Sequence, residues 1–181
     1  MAVDEPSVAR SEKHWAIAMV AVSTVLLSSI VYAAVGMHLR PPSNNVETID
    51  PATLHVSGEF VEDNLGTSVD SKGNVTIRVV TAQFAFQPAC VVVPQDTPVT
   101  LRLASPDVIH GIIVVGTNVN TMVVPGYVSQ VRTRFHQLGE QLMPCHEFCG
   151  LGHSQMLAHV RVVPKADFKP DAERRVTCAA K

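Results

Sequence analysis

The chain has 181 residues, 46% hydrophobic and 17% charged, with a net charge of −2. Such an apolar fraction with so little net charge excludes intrinsic disorder. The absence of excess positive charge excludes a phosphate-backbone binder, so no nucleic-acid partner is expected. The length suits one domain with an appendage, and the mean hydropathy of +0.20 raises the question of where the apolar excess lies.

It lies near the N-terminus. Residues 15–37 read WAIAMVAVSTVLLSSIVYAAVGM, 23 residues without charge or proline. A helix of that length spans roughly 34 Å, enough for a bilayer core of about 30 Å. Trp15 and Tyr32 fall near its two ends, where interfacial aromatics belong. The hydroxyls of Ser23, Thr24, Ser28 and Ser29 can bond to the preceding turn. The rival reading is a cleaved signal peptide with a small-residue site at Ala34-Val35-Gly36. Against it, the run exceeds a signal h-region of roughly 7–15 residues, and Asp4, Glu5 and Glu12 precede it. The expectation is an uncleaved transmembrane helix over 15–37 behind a cytoplasmic N-terminus, 1–14. Arg10 and Lys13 before the span, with only Arg40 close behind it, favour that orientation and put 41–181 outside the cytoplasm.

Residues 38–74 read as a connector rich in Pro, Asn, Gly and acidic residues. From Val75 the pattern turns to strands. Val75, Ile77 and Val79 alternate with Thr76 and Arg78, a half-buried strand. Residues 89–93, 99–104, 112–115, 128–135 and 157–163 read as further strands between Gly, Pro and Asn turns. Many short strands at this spacing predict a mainly β sandwich or small barrel over 75–165. A charged tail, 166–181, is expected on the surface.

One stretch carries chemistry: Cys145-His146-Glu147-Phe148-Cys149-Gly150-Leu151-Gly152-His153-Ser154-Gln155-Met156. Thiolate, imidazole and thioether together select copper over magnesium or calcium. Zinc has little use for the methionine. A mononuclear blue-copper site needs one cysteine, and this loop has two. A second thiolate can bridge two ions, and a second imidazole is then required from elsewhere. His110, between two strands, is the candidate. A plain Cys145–Cys149 disulfide is the bland alternative outside the cytoplasm. It does not account for His153 and Met156 at these spacings. His146, beside Cys145, reads as a rim residue. His14, His38, His55, His136 and His159 have no ligand partners in sequence. Cys90 and Cys178 lie outside the set, and the sequence leaves open whether they pair.

This loop, with Ser105-Pro106-Asp107-Val108-Ile109-His110-Gly111 upstream, resembles the CuA domain of haem–copper oxidase subunit II. Phe84-Ala85-Phe86-Gln87-Pro88, Gly116-Thr117-Asn118-Val119-Asn120 and Pro125-Gly126 match as well. With a single membrane helix, the chain is most similar to the B-family, or ba-type, cytochrome c oxidases. The resemblance implies a cupredoxin-like Greek-key β-barrel with a dinuclear copper centre. It implies Cys145 and Cys149 as bridging thiolates and His110 and His153 as terminal imidazoles. It implies Met156 and the backbone carbonyl of Glu147 as weak ligands. The partners implied are a haem-containing subunit I, to which electrons pass for O2 reduction and proton pumping, and a cytochrome c or small copper protein as donor. The implied location is the inner or plasma membrane, with the copper domain on the periplasmic side.

The chain departs from two-helix members in lacking their Trp-bearing aromatic run, since its one Trp lies in the anchor. Phe84 or Phe86 is then expected to flank the copper edge where electrons arrive. Phe148 and Leu151 are expected to keep water from the metal. Acidic residues (13) barely outnumber basic ones (11) in 41–181, so a largely apolar or mildly charged donor surface is expected. In two-helix members the carboxylate at the Glu147 position helps hold a Mg²⁺ at the subunit I interface; for this chain that role stays open. The alternatives are the copper-bearing small subunit of a nitric oxide reductase and a membrane-tethered copper-delivery protein.

Overall fold

The computed structural model describes residues 5–36, 46–176 and 178. Met37, Arg40, residues 38–45 of the expected connector and residues 179–181 of the tail lie outside them. One helix, α1 (Glu5–Val35), precedes the strands β1 (Gly66–Val69), β2 (Val75–Ala82), β3 (Ala85–Gln87), β4 (Cys90–Pro94) and β5 (Pro98–Ala104). They are followed by β6 (His110–Ile113), β7 (Asn120–Val123), β8 (Ser129–Arg134), β9 (Gly139–Pro144), β10 (Leu157–Val163) and β11 (Arg175–Val176). The chain divides into two compact units, residues 1–45 and 46–181.

The first unit is α1. Its stretch Val8–Val35 is long and apolar enough to cross a membrane, and Trp15 and Tyr32 are both well exposed. Thr24 Oγ1 donates to the Val20 carbonyl at 2.8 Å and Ser29 Oγ to that of Leu26 at 2.7 Å. These bonds satisfy hydroxyls that would otherwise be costly in lipid. Among the described residues the helix reaches back to Glu5, ten residues before the apolar run, because Glu5, Ala9, Arg10, Glu12 and Lys13 are good helix formers and no glycine interrupts them. The apolar boundary is therefore not the helix boundary.

The second unit is a cupredoxin-like sandwich. One sheet runs β11-β1-β2-β5-β8, with β3 also on β2; the other runs β4-β10-β9; β6 and β7 pair separately. Two parallel pairs, β2 with β5 and β4 with β10, stand among antiparallel neighbours. Alternation decides which side of each strand faces inward. In β2, Val75, Ile77 and Val79 are buried and Thr76 and Arg78 are half-buried. Leu101 and Leu103 of β5 and Val91 and Val160 of the other sheet meet them in one cluster. That cluster extends to Cys145, Cys149 and Met156, so the cysteine loop is continuous with the core.

The connector expected over 38–74 is, from Val46 on, part of this unit. Leu54 and Phe60 are fully buried against Val80 and Ala104, forming a second apolar cluster. Between them Glu59 meets Arg78 Nε at 3.2 Å and Arg102 Nε at 2.8 Å. Burial alone would push the Glu59 carboxyl up, but the two guanidiniums outweigh it and hold it below its ordinary 4.5. Polar composition suggests a free linker; two buried side chains and one paired carboxylate are enough to dock it.

The tail is folded as well. β11 pairs with β1, Phe168 packs on the main cluster, and Cys178 forms a disulfide with Cys90 at the start of β4. The pairing left open by the sequence is therefore made. The bridge closes a chain separation of 88 residues, a loop whose closure restrains the unfolded chain by about 4–5 kcal/mol in the entropic model. The double variant C90S/C178S is expected to lose up to about that much stability, with a lower Tm in a non-reducing thermal melt and earlier proteolysis of the tail.

Candidate metal centre

Two loops at one end of the sandwich carry the site. His110 opens β6, and the cysteine loop leaves β9 at Pro144 and returns as β10 at Leu157, two residues paired across the ladder. The loop is pinned at its base: Cys145 N–H donates to the Met156 carbonyl at 3.1 Å. It is pinned to the histidine strand too, by an antiparallel bridge between Ile112 and Cys145 and by His146 N–H donating to the Gly111 carbonyl at 3.0 Å. A short 3-10 turn, His153–Gln155, brings His153 and Met156 round to the cysteines; its closing bond runs from Met156 N–H to the His153 carbonyl at 3.1 Å. Gly150 has φ +132°, a conformation an L side chain adopts only with strain.

The donor atoms converge. Cys145 Sγ lies 3.9 Å from His110 Nδ1 and 3.3 Å from the Glu147 carbonyl oxygen. Cys149 Sγ lies 3.6 Å from His153 Nδ1 and 3.7 Å from Met156 Sδ. Ligand atoms of His110, Cys145 and Cys149 all fall within 4.8 Å of one another. Neither cysteine is in a disulfide, and both are buried, which removes the bland alternative. Metal bonds of about 2.0–2.3 Å to nitrogen and sulfur put two donors on one ion at separations like these, so the set fits a soft or borderline metal. Each sulfur has its own imidazole and its own weaker donor.

Asp107 orients the histidine. Its Oδ1 lies 3.0 Å from Nε2 of the fully buried His110. Burial pushes the Asp107 carboxyl up, but hydrogen bonds from His110, Gln83 N–H, Val108 N–H and Ser105 outweigh it and keep the pKa below the ordinary value. An ionised carboxylate only accepts, so the imidazole proton sits on Nε2 and the Nδ1 lone pair faces the sulfurs. The Cys149 thiol is pushed up, first by burial and then by Cys145 beside it.

The structure thus brings His110, Cys145, Cys149, His153, Met156 and the Glu147 carbonyl together. The Glu147 side chain is exposed. The His146 ring is exposed and lies against Gly111, where a Cβ would come within 2.5 Å of it. The two phenylalanines separate. Phe86 is a core residue, 2% exposed, whereas Phe84 lies over the cysteine loop, where a Cβ at Gly152 would fall 2.5 Å from its ring. Phe148 and Leu151, expected to exclude water, are 73% and 98% exposed. They project outward from the loop tip, and the core itself keeps the sulfurs dry. Sequence reading missed Gln83, whose side chain donates to the Cys149 carbonyl, and the orienting role of Asp107. An acid three residues before a ligand histidine is a readable signal for the latter; Gln83 has none.

Known proteins point the same way. The family described as cytochrome c oxidase subunit II, periplasmic domain, matches residues 74–163. A cytochrome c oxidase subunit 2 of Thermus thermophilus is 34% identical over 153 residues, covering 83% of this chain and 90% of that protein. A second Thermus thermophilus sequence of the same name is 36% identical over 121 residues, covering 67% of this chain and 90% of its own length. Among solved structures, a chain of a heme–copper terminal oxidase dimer matches with a TM-score of 0.60 and 27% identity, over 84% of this chain and 99% of the other.

The raised Cys149 thiol has a pH consequence. Metal binding must displace its proton, and the raised pKa keeps the thiol protonated throughout the neutral range and makes that displacement costlier. Copper affinity of the metal-free chain is therefore expected to rise with pH through the neutral range, with net proton release in titration calorimetry across buffers of different ionisation heat.

Proposed function

The chain belongs to the cytochrome c oxidase subunit II family, and from that premise we propose how its residues serve the electron-accepting subunit of a haem–copper terminal oxidase. His110, Cys145, Cys149, His153, Met156 and the Glu147 carbonyl hold two copper ions, with both thiolates bridging. The observation that carries this reading is two buried, unpaired sulfurs, each with its own imidazole nitrogen at 3.6–3.9 Å. When bound, the copper pair supplies a one-electron couple whose charge is shared over two ions.

The protein's part is to keep the ligands still while the charge changes. Asp107 holds the His110 ring in one tautomer. The bond from Cys145 N–H to Met156 closes the loop, and the 3-10 turn sets His153 and Met156 as a unit. Burial of both sulfurs removes water that would otherwise reorganise with the charge. Phe84, packed on the loop glycines and part-exposed, is proposed as the point where electrons arrive.

The donor is a cytochrome c or a small copper protein, docking on the apolar rim formed by Ile109, Met122, Phe148 and Leu151, all exposed. Acidic residues barely outnumber basic ones in 41–181, which favours apolar contact over charge steering. The acceptor is haem in subunit I, where oxygen is reduced. α1 anchors the chain in the membrane, with the copper domain on the periplasmic side. The exposed Glu147 carboxylate would hold a Mg²⁺ shared with subunit I.

Purified full-length chain in detergent, loaded with copper, is expected to bind two coppers and to give a delocalised mixed-valence EPR signal with purple colour. A single blue copper, or zinc alone, would overturn the dinuclear reading. Cys149→Ser is expected to abolish the mixed-valence signal, and an unchanged spectrum would overturn the bridging role. Met156→Leu is expected to keep both coppers and raise the reduction potential measured by voltammetry, because the oxidised pair loses a donor.

A further inference from the structure

The two ligand loops are far apart in the chain but share one neighbour, the two-residue turn Gln83–Phe84 that joins β2 to β3. The backbone N–H of Gln83 donates to Asp107 Oδ2 at 2.6 Å. The other oxygen of that carboxylate bonds the buried His110 ring. The side-chain Nε2 of Gln83 donates to the backbone carbonyl of Cys149. The neighbouring Phe84 ring covers Gly150 and Gly152 so closely that a Cβ at either would fall within 2.8 Å of it. One residue therefore reaches the histidine's orienting carboxylate with its backbone and the cysteine's peptide with its side chain.

We propose that Gln83 is a positioning residue of the metal centre, tying the His110 loop to the Cys149 loop and setting thiol and imidazole in place before metal arrives. The inference rests on the reading of these residues as copper ligands. The chemistry of the side chain suits the role. A carbonyl needs a donor, and an amide supplies one without placing a charge beside two thiolates. Groups just outside a metal's ligands hold those ligands in place and tune the metal, and a site on loops needs such support more than one on strands.

The test compares full-length wild type with Q83E and Q83N in detergent. Glutamate keeps the shape but, ionised, offers the Cys149 carbonyl no donor. Asparagine keeps the amide one methylene short. Both retain the backbone bond to Asp107, so the histidine's own orientation is not the variable. In the metal-free protein, amide hydrogen exchange at Cys149–Gly152 is expected to be about five- to tenfold faster in both variants. In the copper-loaded protein, release to a chelator is expected to be about ten- to a hundredfold faster, with altered copper hyperfine splitting in EPR. Wild-type exchange and wild-type release in a variant whose circular dichroism shows it folded would overturn the proposal; one folded variant suffices. Faster exchange with unchanged copper release and EPR would make Gln83 a structural residue of the loop and overturn its role at the metal. Zinc or a single copper in the wild type would overturn the dinuclear reading instead, and the metal-free exchange would still judge Gln83.

Discussion

Everything at the functional end of this protein depends on holding two cysteine sulfurs close together without letting them oxidise to each other or drift apart. The fold does this with backbone bonds. Cys145 is tied to Met156 across the loop base and to Ile112 across the histidine strand. A loop closed at its base and bridged to a neighbouring strand has few soft dihedrals left to move. Both sulfurs are free, and each keeps an imidazole beside it. Electron transfer benefits from the same stiffness, since ligands that cannot move cannot reorganise.

The sandwich behind the loop serves that constraint. Cys145, Cys149 and Met156 belong to the same apolar cluster as Ile77, Leu101 and Val160, so displacing the loop would also disturb the main core. The cost of this arrangement falls on Cys149, whose buried thiol resists ionisation. The Cys149 thiol is pushed up by burial and by Cys145, and only a bound cation would offset both effects. The metal-free loop is thus organised for a charge that it does not itself supply.

The outer face follows a different logic. The loop tip turns Phe148 and Leu151 into solvent instead of over the sulfurs, while Phe84 covers the glycines from the side. Those side chains stand free at the surface, and the barrel interior does the insulating. The segment from Val46 and the disulfide-tethered tail close the remaining sheet surface, through Glu59 on two arginines and β11 on β1.

The residues that converge at the cysteine loop, the long apolar helix and the β class were all legible in the sequence, because each rests on local chemistry or local period. Thiolate, imidazole and thioether announce their metal whatever the fold. An uncharged run of this length has few destinations, and alternation of valine and isoleucine is a strand wherever it lies. What tertiary structure alone decided involves partners distant in the chain. Phe84 and Phe86 look equivalent as next-but-one neighbours on a strand, yet Phe84 sits in the turn before β3 and Phe86 in the core. The polar segment after Val46 docks because of arginines on β2 and β5. Cys90 finds Cys178 because the tail returns to the sheet. Gln83 reaches Cys149 across 66 positions, a contact with no local signature, because an amide on a turn is an ordinary surface residue until the fold gives it a carbonyl.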